Sequence, residues 1–271
     1  MAGATALLEV RGLRVAFGAH VAVDDASFDL APAEALGLVG ESGCGKSTLA
    51  RALLRLVPAA RGVVRWRGRD LLALSAAQMR RQRRDLQIIF QDPLASLDPR
   101  MTVGEILAEP LWIFERALSA GERAQRIDRM LDLVGLAPAA ASRRPREFSG
   151  GQCQRIGIAR AMILRPRLLI CDEPVSSLDV SIQGQIVNLL SDLKRELGTA
   201  MLFISHNLAV VRHLSDRVMV MYAGRIVEVA ERDALFAAPA HPYTRALLAA
   251  VPELPGMPAQ AAQGRPDAQG G

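Results

Sequence analysis

The sequence contains few cysteines and no paired metal-ligand pattern. Its three cysteines, Cys44, Cys153 and Cys171, stand far apart and form no C-x-x-C pair. Small disulfide-stapled proteins and cysteine-rich metal modules depend on paired or closely spaced cysteines. The sequence therefore argues against both classes, and any metal ion is expected to arrive together with another ligand.

Long apolar runs are also missing. A membrane-spanning helix needs roughly 20 consecutive apolar residues, and no run in this chain approaches that length although 50% of its residues are hydrophobic. The N-terminus, with Glu9 and Arg11 soon after a short Ala/Leu stretch, does not have the layout of a secretory signal. We therefore expect a globular cytoplasmic protein with one large or two smaller packed units.

The chain is basic, with a net charge of +5, and its densest basic run is RRQRR at residues 80–84. Such a run is compatible with nucleic acid or with anionic lipid headgroups. A solvated helix face accounts for it more simply, and we favour that interpretation.

The most informative stretch is GESGCGKST at residues 40–48, which matches the phosphate-loop pattern G-x-x-x-x-G-K-[ST]. A buried strand is expected before it and an apolar-rich helix after it, so backbone N–H groups and a positive helix end would face the phosphates. The residues expected to hold a nucleotide are Gly40, Glu41, Ser42, Gly43, Cys44, Gly45, Lys46, Ser47 and Thr48. Lys46 would reach the β- and γ-phosphates, and Ser47 would ligate Mg²⁺.

Cys44 lies inside this loop, near the N-terminus of the expected helix. Positive potential at that position favours a reactive thiolate. A buried, inert cysteine is the alternative, and the sequence leaves the two open.

Periodicity along the rest of the chain predicts an α/β fold. The strand patterns lie at 7–10, 13–17, 21–30, 35–39, 62–67, 86–90, 167–172, 201–204, 218–221 and 225–229. The first three predict a small antiparallel layer, with a pair of strands turning around Arg11 and Gly12. Between residues 93 and 161 strand signals are scarce, and helix patterns at 105–108, 121–134 and 139–144 predict a helical insert.

The insert ends in a second candidate anion site. Ser149 stands where a helix N-cap belongs, and Gly150, Gly151 and Gln152 follow it. The free N–H groups of that helix would bind phosphate.

A pair of carboxylates follows the apolar strand pattern at 167–172. The carboxyl ends of strands are where open α/β sheets bind ligands. Asp172 would hold Mg²⁺, and Glu173 would polarise the water that attacks the γ-phosphate.

Three further residues are candidates for the nucleotide site because each lies at or just after the end of a predicted strand. Phe17 would stack on an adenine base, although core packing explains an aromatic residue there equally well. Gln91 follows the strand at 86–90, and His206 follows that at 201–204, within reach of a γ-phosphate.

These motifs, in this order and with Asp179 between Glu173 and His206, resemble the ATP-binding subunits of ABC transporters. The segments FQDPLASLDPR at 90–100 and HPYTRALL at 241–248 resemble the oligopeptide/dipeptide importers of that family, and residues 101–107 and 152–160 resemble their F-type member. The resemblance covers about residues 5–253. It implies a P-loop NTPase core of ABC type with an N-terminal antiparallel β-subdomain and an inserted helical subdomain.

The resemblance also implies roles, cofactors and partners. ATP and Mg²⁺ are the expected cofactors: Phe17 stacks on adenine, Gln91 senses Mg²⁺ with Ser47 and Asp172, and Glu173 and His206 serve hydrolysis. Ser149, Gly150, Gly151 and Gln152 complete the nucleotide site of a facing subunit. Asp179 is also expected to belong to the nucleotide-binding residues. That subunit is expected to be a non-identical D-type ATPase, although a homodimer stays open.

Two membrane permease subunits and, indirectly, an external solute-binding protein are the other expected partners, with no nucleic acid. They imply a peripheral location on the cytoplasmic face of the cell membrane. The transported solute is expected to be a peptide, with nickel or another small solute as the alternative. Two rival classes are a chromosome- or repair-type ABC ATPase and a regulatory module that binds ATP without turnover. The absence of sustained heptads argues against the chromosome- or repair-type ATPase, which usually contains a long coiled coil. The presence of Glu173 and His206, the residues expected to serve hydrolysis, argues against the module without turnover.

The expected organisation has four parts. Residues 1–92 hold the β-subdomain and the first part of the ATP-binding core, and 93–161 form the helical subdomain. Residues 162–238 hold the second part of the core. Residues 239–271 form an extension of oligopeptide-transporter type with a disordered tail from 255.

Overall fold

The computed structural model describes residues 6–250, so the predicted tail from 255 onward lies outside the described residues. The strands are β1 Leu8–Phe17, β2 His20–Leu30, β3 Ala35–Val39, β4 Arg61–Trp66, β5 Arg69–Asp70, β6 Leu86–Ile89, β7 Leu168–Asp172, β8 Ala200–Ile204, β9 Arg217–Tyr222 and β10 Arg225–Glu231. The helices are α1 Lys46–Leu53, α2 Ala76–Gln82, α3 Pro93–Ser96, α4 Val103–Phe114, α5 Ala120–Leu133, α6 Gly150–Met162, α7 Val180–Leu197, α8 Leu208–Leu214, α9 Arg232–Ala237 and α10 Pro242–Ala249.

The strands form two sheets. A four-stranded sheet in the order β2-β1-β4-β5 is antiparallel, and a six-stranded sheet has the order β10-β9-β3-β8-β7-β6. In the larger sheet β9, β3, β8, β7 and β6 run parallel, and β10 pairs with β9 in antiparallel fashion. Strands β3, β7 and β8 therefore end at the same edge, where the phosphate loop, the two carboxylates and His206 follow them.

Both faces of the large sheet are buried, as expected of a parallel sheet covered on two sides. In β8, Met201 and Phe203 face a core shared with the helices between β6 and β8, while Leu202 and Ile204 face a second core shared with α1 and the small sheet. This two-sided burial explains why the central strands read as continuous apolar runs.

The segment between β6 and β7 is helical, as predicted. Thr102 and Ser119 begin α4 and α5 with side-chain caps, and each exchanges hydrogen bonds with a glutamate three residues on. These caps explain why α4 starts before the predicted 105–108 pattern. The predicted helix at 139–144 is instead a short 3₁₀ helix at Pro138–Ser142.

The predicted strand pair at 7–17 is wrong, because those residues form the single strand β1. Gly12 has φ of +58° and donates its N–H to Ser27 Oγ, and the register between β1 and β2 shifts beside it. A glycine in the left-handed region serves a bulge as well as a turn. The true partner of β1 is β2, so the predicted antiparallel layer is present with a different pairing.

We predict that Gly37→Ala destabilises the protein. A Cβ at Gly37 in β3 would lie 2.5 Å from Val211 Cγ1 and 2.5 Å from Ser215 Oγ, where α8 crosses the sheet. Overpacking of this kind costs about 1–3 kcal/mol. Urea unfolding followed by circular dichroism measures the free energy of unfolding.

Gly184→Ala is the matched control, because Gly184 lies inside α7 and its added Cβ would meet no atom within 4 Å apart from the adjacent backbone of its own helix. It should stabilise by about 0.5–1 kcal/mol through helix propensity. Equal midpoints for the Gly37 variant and the unmodified chain would contradict the close packing of α8 on β3.

Candidate active site

The phosphate loop links the end of β3 to the start of α1. Gly40 and Gly45 have φ of +152° and +110°. A Cβ on Gly40 would lie 2.2 Å from the Met221 carbonyl oxygen, and one on Gly45 would lie 2.2 Å from that of Ala22. Both positions therefore require glycine for space as well as for conformation.

Lys46 lies at the first position of α1, and its side chain folds back into the loop. Its ammonium donates to the carbonyl oxygens of Gly40 and Glu41, each at 2.8 Å, and the residue is only 4% exposed. Within residues 6–250 no carboxylate forms an ion pair with Lys46. The ammonium has two carbonyl oxygens and, at 3.9 Å, the Cys44 sulfur as acceptors. None of these carries a full negative charge, so the site is suited to an anion.

Ser47 and Asp172 meet across the sheet edge. Ser47 Oγ donates to Asp172 Oδ1 at 2.7 Å, and Asp172 is 1% exposed at the end of β7. Burial raises the pKa of the Asp172 carboxyl, against the lowering effect of the Ser47 hydroxyl. A hydroxyl beside a carboxylate provides the oxygen ligands that Mg²⁺ prefers.

Glu173 turns away from Asp172 because its backbone adopts a left-handed conformation, with φ of +49°. Hydrogen bonds on both sides of the residue hold this conformation. The Glu173 N–H donates to the Ile204 carbonyl at 3.0 Å, and the N–H and hydroxyl of Ser176 both donate to the Glu173 carbonyl. A strained non-glycine residue fixed in this way is a recurring feature of functional sites. His206 follows β8 and places Nδ1 3.2 Å from Glu173 Oε2.

These elements enclose one cleft of about 400 Å³ beside the phosphate loop. Its lining consists of Phe17, His20, Ala22, Ser42, Gly43, Gly45, Lys46, Ser47, Thr48, Gln91 and Glu173. Phe17 is 49% exposed at the rim, which rules out the core-packing interpretation.

Two lining residues, His20 and Ala22, were not anticipated from the sequence. Both lie on β2, and His20 pairs directly with Phe17 across the β1–β2 hairpin. Recognising that hairpin in the sequence would have placed His20 beside Phe17.

Residues 149–152 do not line this cleft, although they belong to the described part of the chain. Ser149 caps α6: its hydroxyl accepts from the Gln152 N–H, and the Gln152 side chain accepts from the Ser149 N–H. A Cβ on Gly151 would lie 2.7 Å from Ile182 Cγ2, so this helix end packs against the start of α7. Asp179 immediately precedes α7, and its side chain makes no capping hydrogen bond.

Comparisons with known proteins identify the family. Residues 23–176 match the model of the ABC transporter family, and residues 227–269 match the model described as the oligopeptide/dipeptide transporter C-terminal region. The chain belongs to the ABC transporter family. It is thus an ABC-type ATPase, a subunit of a transporter complex, and the predicted family, fold class and enzyme class are confirmed.

Similar curated proteins span most of this ABC subunit. It is 58% identical to the oligopeptide transport ATP-binding protein OppF of Salmonella typhimurium over 231 aligned residues. The alignment covers 85% of this chain and 69% of OppF. It is 55% identical to a putative peptide import ATP-binding protein of Brucella ovis over 252 aligned residues. That alignment covers 92% of this chain and 79% of the Brucella protein.

Solved structures share the ABC fold. A dimeric ATP-binding cassette in a post-hydrolysis state, bound to ADP and phosphate, superposes with a TM-score of 0.75 at 26% identity over 83% of this chain and 98% of the other. CbiO1 of Clostridium perfringens superposes with a TM-score of 0.77 at 24% identity, over 85% of this chain and 90% of CbiO1. This second superposition also supports the fold assignment. No helix within residues 6–250 of this ABC subunit combines the length and apolarity needed to cross a membrane.

The structure favours the buried alternative for Cys44. The residue is 8% exposed, and burial raises the pKa of its thiol although the neighbouring Lys46 ammonium acts in the opposite direction. Cys153 and Cys171 are fully buried, and burial raises the pKa of each as well.

We therefore predict that iodoacetamide labels the native ABC subunit slowly at pH 7. A pKa above the ordinary value of about 9 leaves little thiolate at neutral pH, so labelling should accelerate as the pH rises and in urea. Mass spectrometry of modified peptides locates the label. Cys44→Ser is the control for assignment, and rapid labelling of Cys44 in the native protein at pH 7 would contradict its burial.

Proposed function

We propose that this chain is the ATP-hydrolysing subunit of an ABC importer for peptides, and that ATP binds in the cleft between Phe17 and the phosphate loop. The observation that carries the ATP site is the buried Lys46 ammonium, which donates to two carbonyl oxygens at 2.8 Å and to the Cys44 sulfur at 3.9 Å. A triphosphate supplies the missing negative charge. The relatives named for oligopeptide transport and peptide import, and the matched C-terminal region, support peptides as the solute.

Mg²⁺ is the proposed metal partner of the nucleotide. Ser47, Asp172 and Gln91 would hold it, since hydroxyl, carboxylate and amide oxygens suit a hard cation. A Mg²⁺ ion held by these residues would supply positive charge to offset that of the phosphates. The hydrogen bond between Ser47 and Asp172, at 2.7 Å, fixes the positions of these two side chains. Gln91 lines the cleft beside the phosphate loop, as Ser47 does.

Glu173 is the proposed residue that orients and polarises the attacking water. Its carboxylate lines the cleft and contacts His206 Nδ1, so the proposed roles of these two side chains are linked. A protonated Nδ1 would donate to the carboxylate and hold it in place. His206 would then present its other ring nitrogen toward the γ-phosphate.

The proposed partner is a second ATPase, non-identical and of D-type. The geometry supports a shared site because residues 149–152 and Asp179 are absent from the lining of the chain's own cleft. The helix end at 149–152 packs near Leu178 and Ile182, on either side of Asp179 in the sequence. N–H groups at the start of α6 would face the γ-phosphate of the partner's nucleotide.

The remaining proposed partners are two permease subunits at the cytoplasmic face of the membrane, which receive solute from an external binding protein. Support comes from a groove between β6, α4 and α6, where Phe90 and Ile113 are exposed. Apolar side chains grouped at a groove are typical of a protein-binding surface. The groove lies between β6 and the proposed helical subdomain 93–161. Gln91 follows Phe90 in the chain and would link the groove to the cleft.

We predict that Glu173→Gln keeps ATP affinity but loses at least about 100-fold in turnover, because a positioned base contributes on the order of 10²–10⁴ in rate.

Lys46→Ala should instead weaken ATP binding by roughly 10- to 100-fold, since it removes charge-assisted hydrogen bonds. Binding of a fluorescent ATP analogue and phosphate release by the assembled transporter separate the two effects.

Glu196→Gln is the matched control, because Glu196 is an exposed carboxylate on α7 away from the cleft. It should behave as the unmodified chain does. Near-normal hydrolysis by the Glu173 variant would remove the catalytic assignment, and unchanged affinity of the Lys46 variant would remove the proposed ATP site.

We also predict that the isolated chain hydrolyses ATP slowly at low concentration, because each site lacks the helix end of a partner. Sedimentation and ATPase assays with MgATP across protein concentration measure this. Reconstitution with the permeases and the second ATPase should raise turnover and make it respond to peptide, since tethering raises the effective concentration of the two cassettes. A tight, fully active homodimer of the isolated chain would contradict the proposed non-identical partner.

A further inference from the structure

A hydrogen bond joins the C-terminal helix to the phosphate loop. Tyr243, at the start of α10, accepts the backbone N–H of Glu41 through its hydroxyl oxygen at 3.2 Å. Glu41 is the second residue of the loop, and 202 positions separate the two residues. The contact therefore comes from tertiary packing alone.

Tyr243 is itself held from three sides. Its ring lies against that of Tyr222, at the end of β9, with the centroids 4.3 Å apart. His241 Nδ1 accepts the Tyr243 N–H at 3.1 Å and caps α10. Glu228 of β10 accepts the N–H groups of Ala240 and His241 at 2.8 and 2.9 Å. The hydroxyl is thus presented from a supported position rather than from a free helix end.

The same peptide unit is fixed from the inside of the loop. The Glu41 carbonyl accepts the Lys46 ammonium at 2.8 Å, while the Glu41 N–H is bonded to Tyr243. A second outer contact comes from the β9–β10 turn, where the Gly224 N–H donates to the Cys44 carbonyl at 3.0 Å. The loop is therefore clamped between its own lysine and two elements from the C-terminal part of the chain.

We propose that Tyr243 is a positioning residue for nucleotide binding: its hydroxyl holds the Glu41 peptide so that the phosphate loop keeps its curled shape before ATP enters. This inference rests on the proposed ATP site. Pre-organisation of a binding loop raises affinity because less ordering is required on binding. Tyr243 acts through Glu41 and does not itself line the cleft.

Tyr243→Phe tests the proposal, because it removes the hydroxyl and keeps the ring. The full chain should bind a fluorescent ATP analogue about two- to tenfold more weakly, the range expected for one neutral hydrogen bond. In the assembled transporter the KM for ATP should rise while kcat changes little. The thermal unfolding midpoint should stay close to that of the unmodified chain, since stacking and burial are kept.

Tyr222→Phe is the matched control. It also removes one hydroxyl from the stacked pair, and within residues 6–250 that hydroxyl has no hydrogen-bond partner. The proposal predicts weaker binding for Tyr243→Phe than for Tyr222→Phe. Equal affinities for the two variants would overturn it, as would a loss of affinity that only parallels a fall in the unfolding midpoint. If the unmodified chain bound no ATP analogue, the proposed function itself would fail, which is a separate result.

Discussion

The buried ammonium of Lys46 is the constraint on which the rest of the site depends. Removing an ammonium from water is costly unless its charge is compensated, and here the loop offers carbonyl oxygens but no carboxylate ion pair. Only glycine fits at Gly40 and Gly45, where neighbouring backbone carbonyls leave no room for a Cβ. The curled shape of the loop thus depends on these glycines, and its suitability for an anion follows from the buried charge of Lys46.

The parallel sheet turns that loop into an active-site candidate. Strands β3, β7 and β8 lie side by side, so residues that follow them in the chain meet at one edge. Asp172 and Glu173 are adjacent in sequence but point to different partners, Ser47 and His206, because Glu173 adopts a left-handed backbone conformation. One strand end can therefore supply both a buried acceptor and a more accessible carboxylate.

Parts of the molecule could be predicted from local patterns, and parts could not. Apolar runs located the central strands, and N-cap residues such as Ser149 located helix starts, because these signals lie within a few consecutive residues. The bulge at Gly12 was misread as a turn, since the same glycine conformation serves both. The sequence left the state of Cys44 open because a helix N-terminus is visible in it, whereas the burial that raises the pKa of the thiol is not.

The sequence by itself determined which chemical groups are present and in what order: a phosphate loop, two adjacent carboxylates, a capped glycine-rich helix end and a histidine. These motifs need contiguous residues, so they are legible without a fold. The tertiary structure alone decided that Phe17 is exposed at the cleft, that residues 149–152 lie outside it, and that Tyr243 meets Glu41. Contacts between distant segments depend on how both sheets and their helices pack, and no local periodicity records that packing.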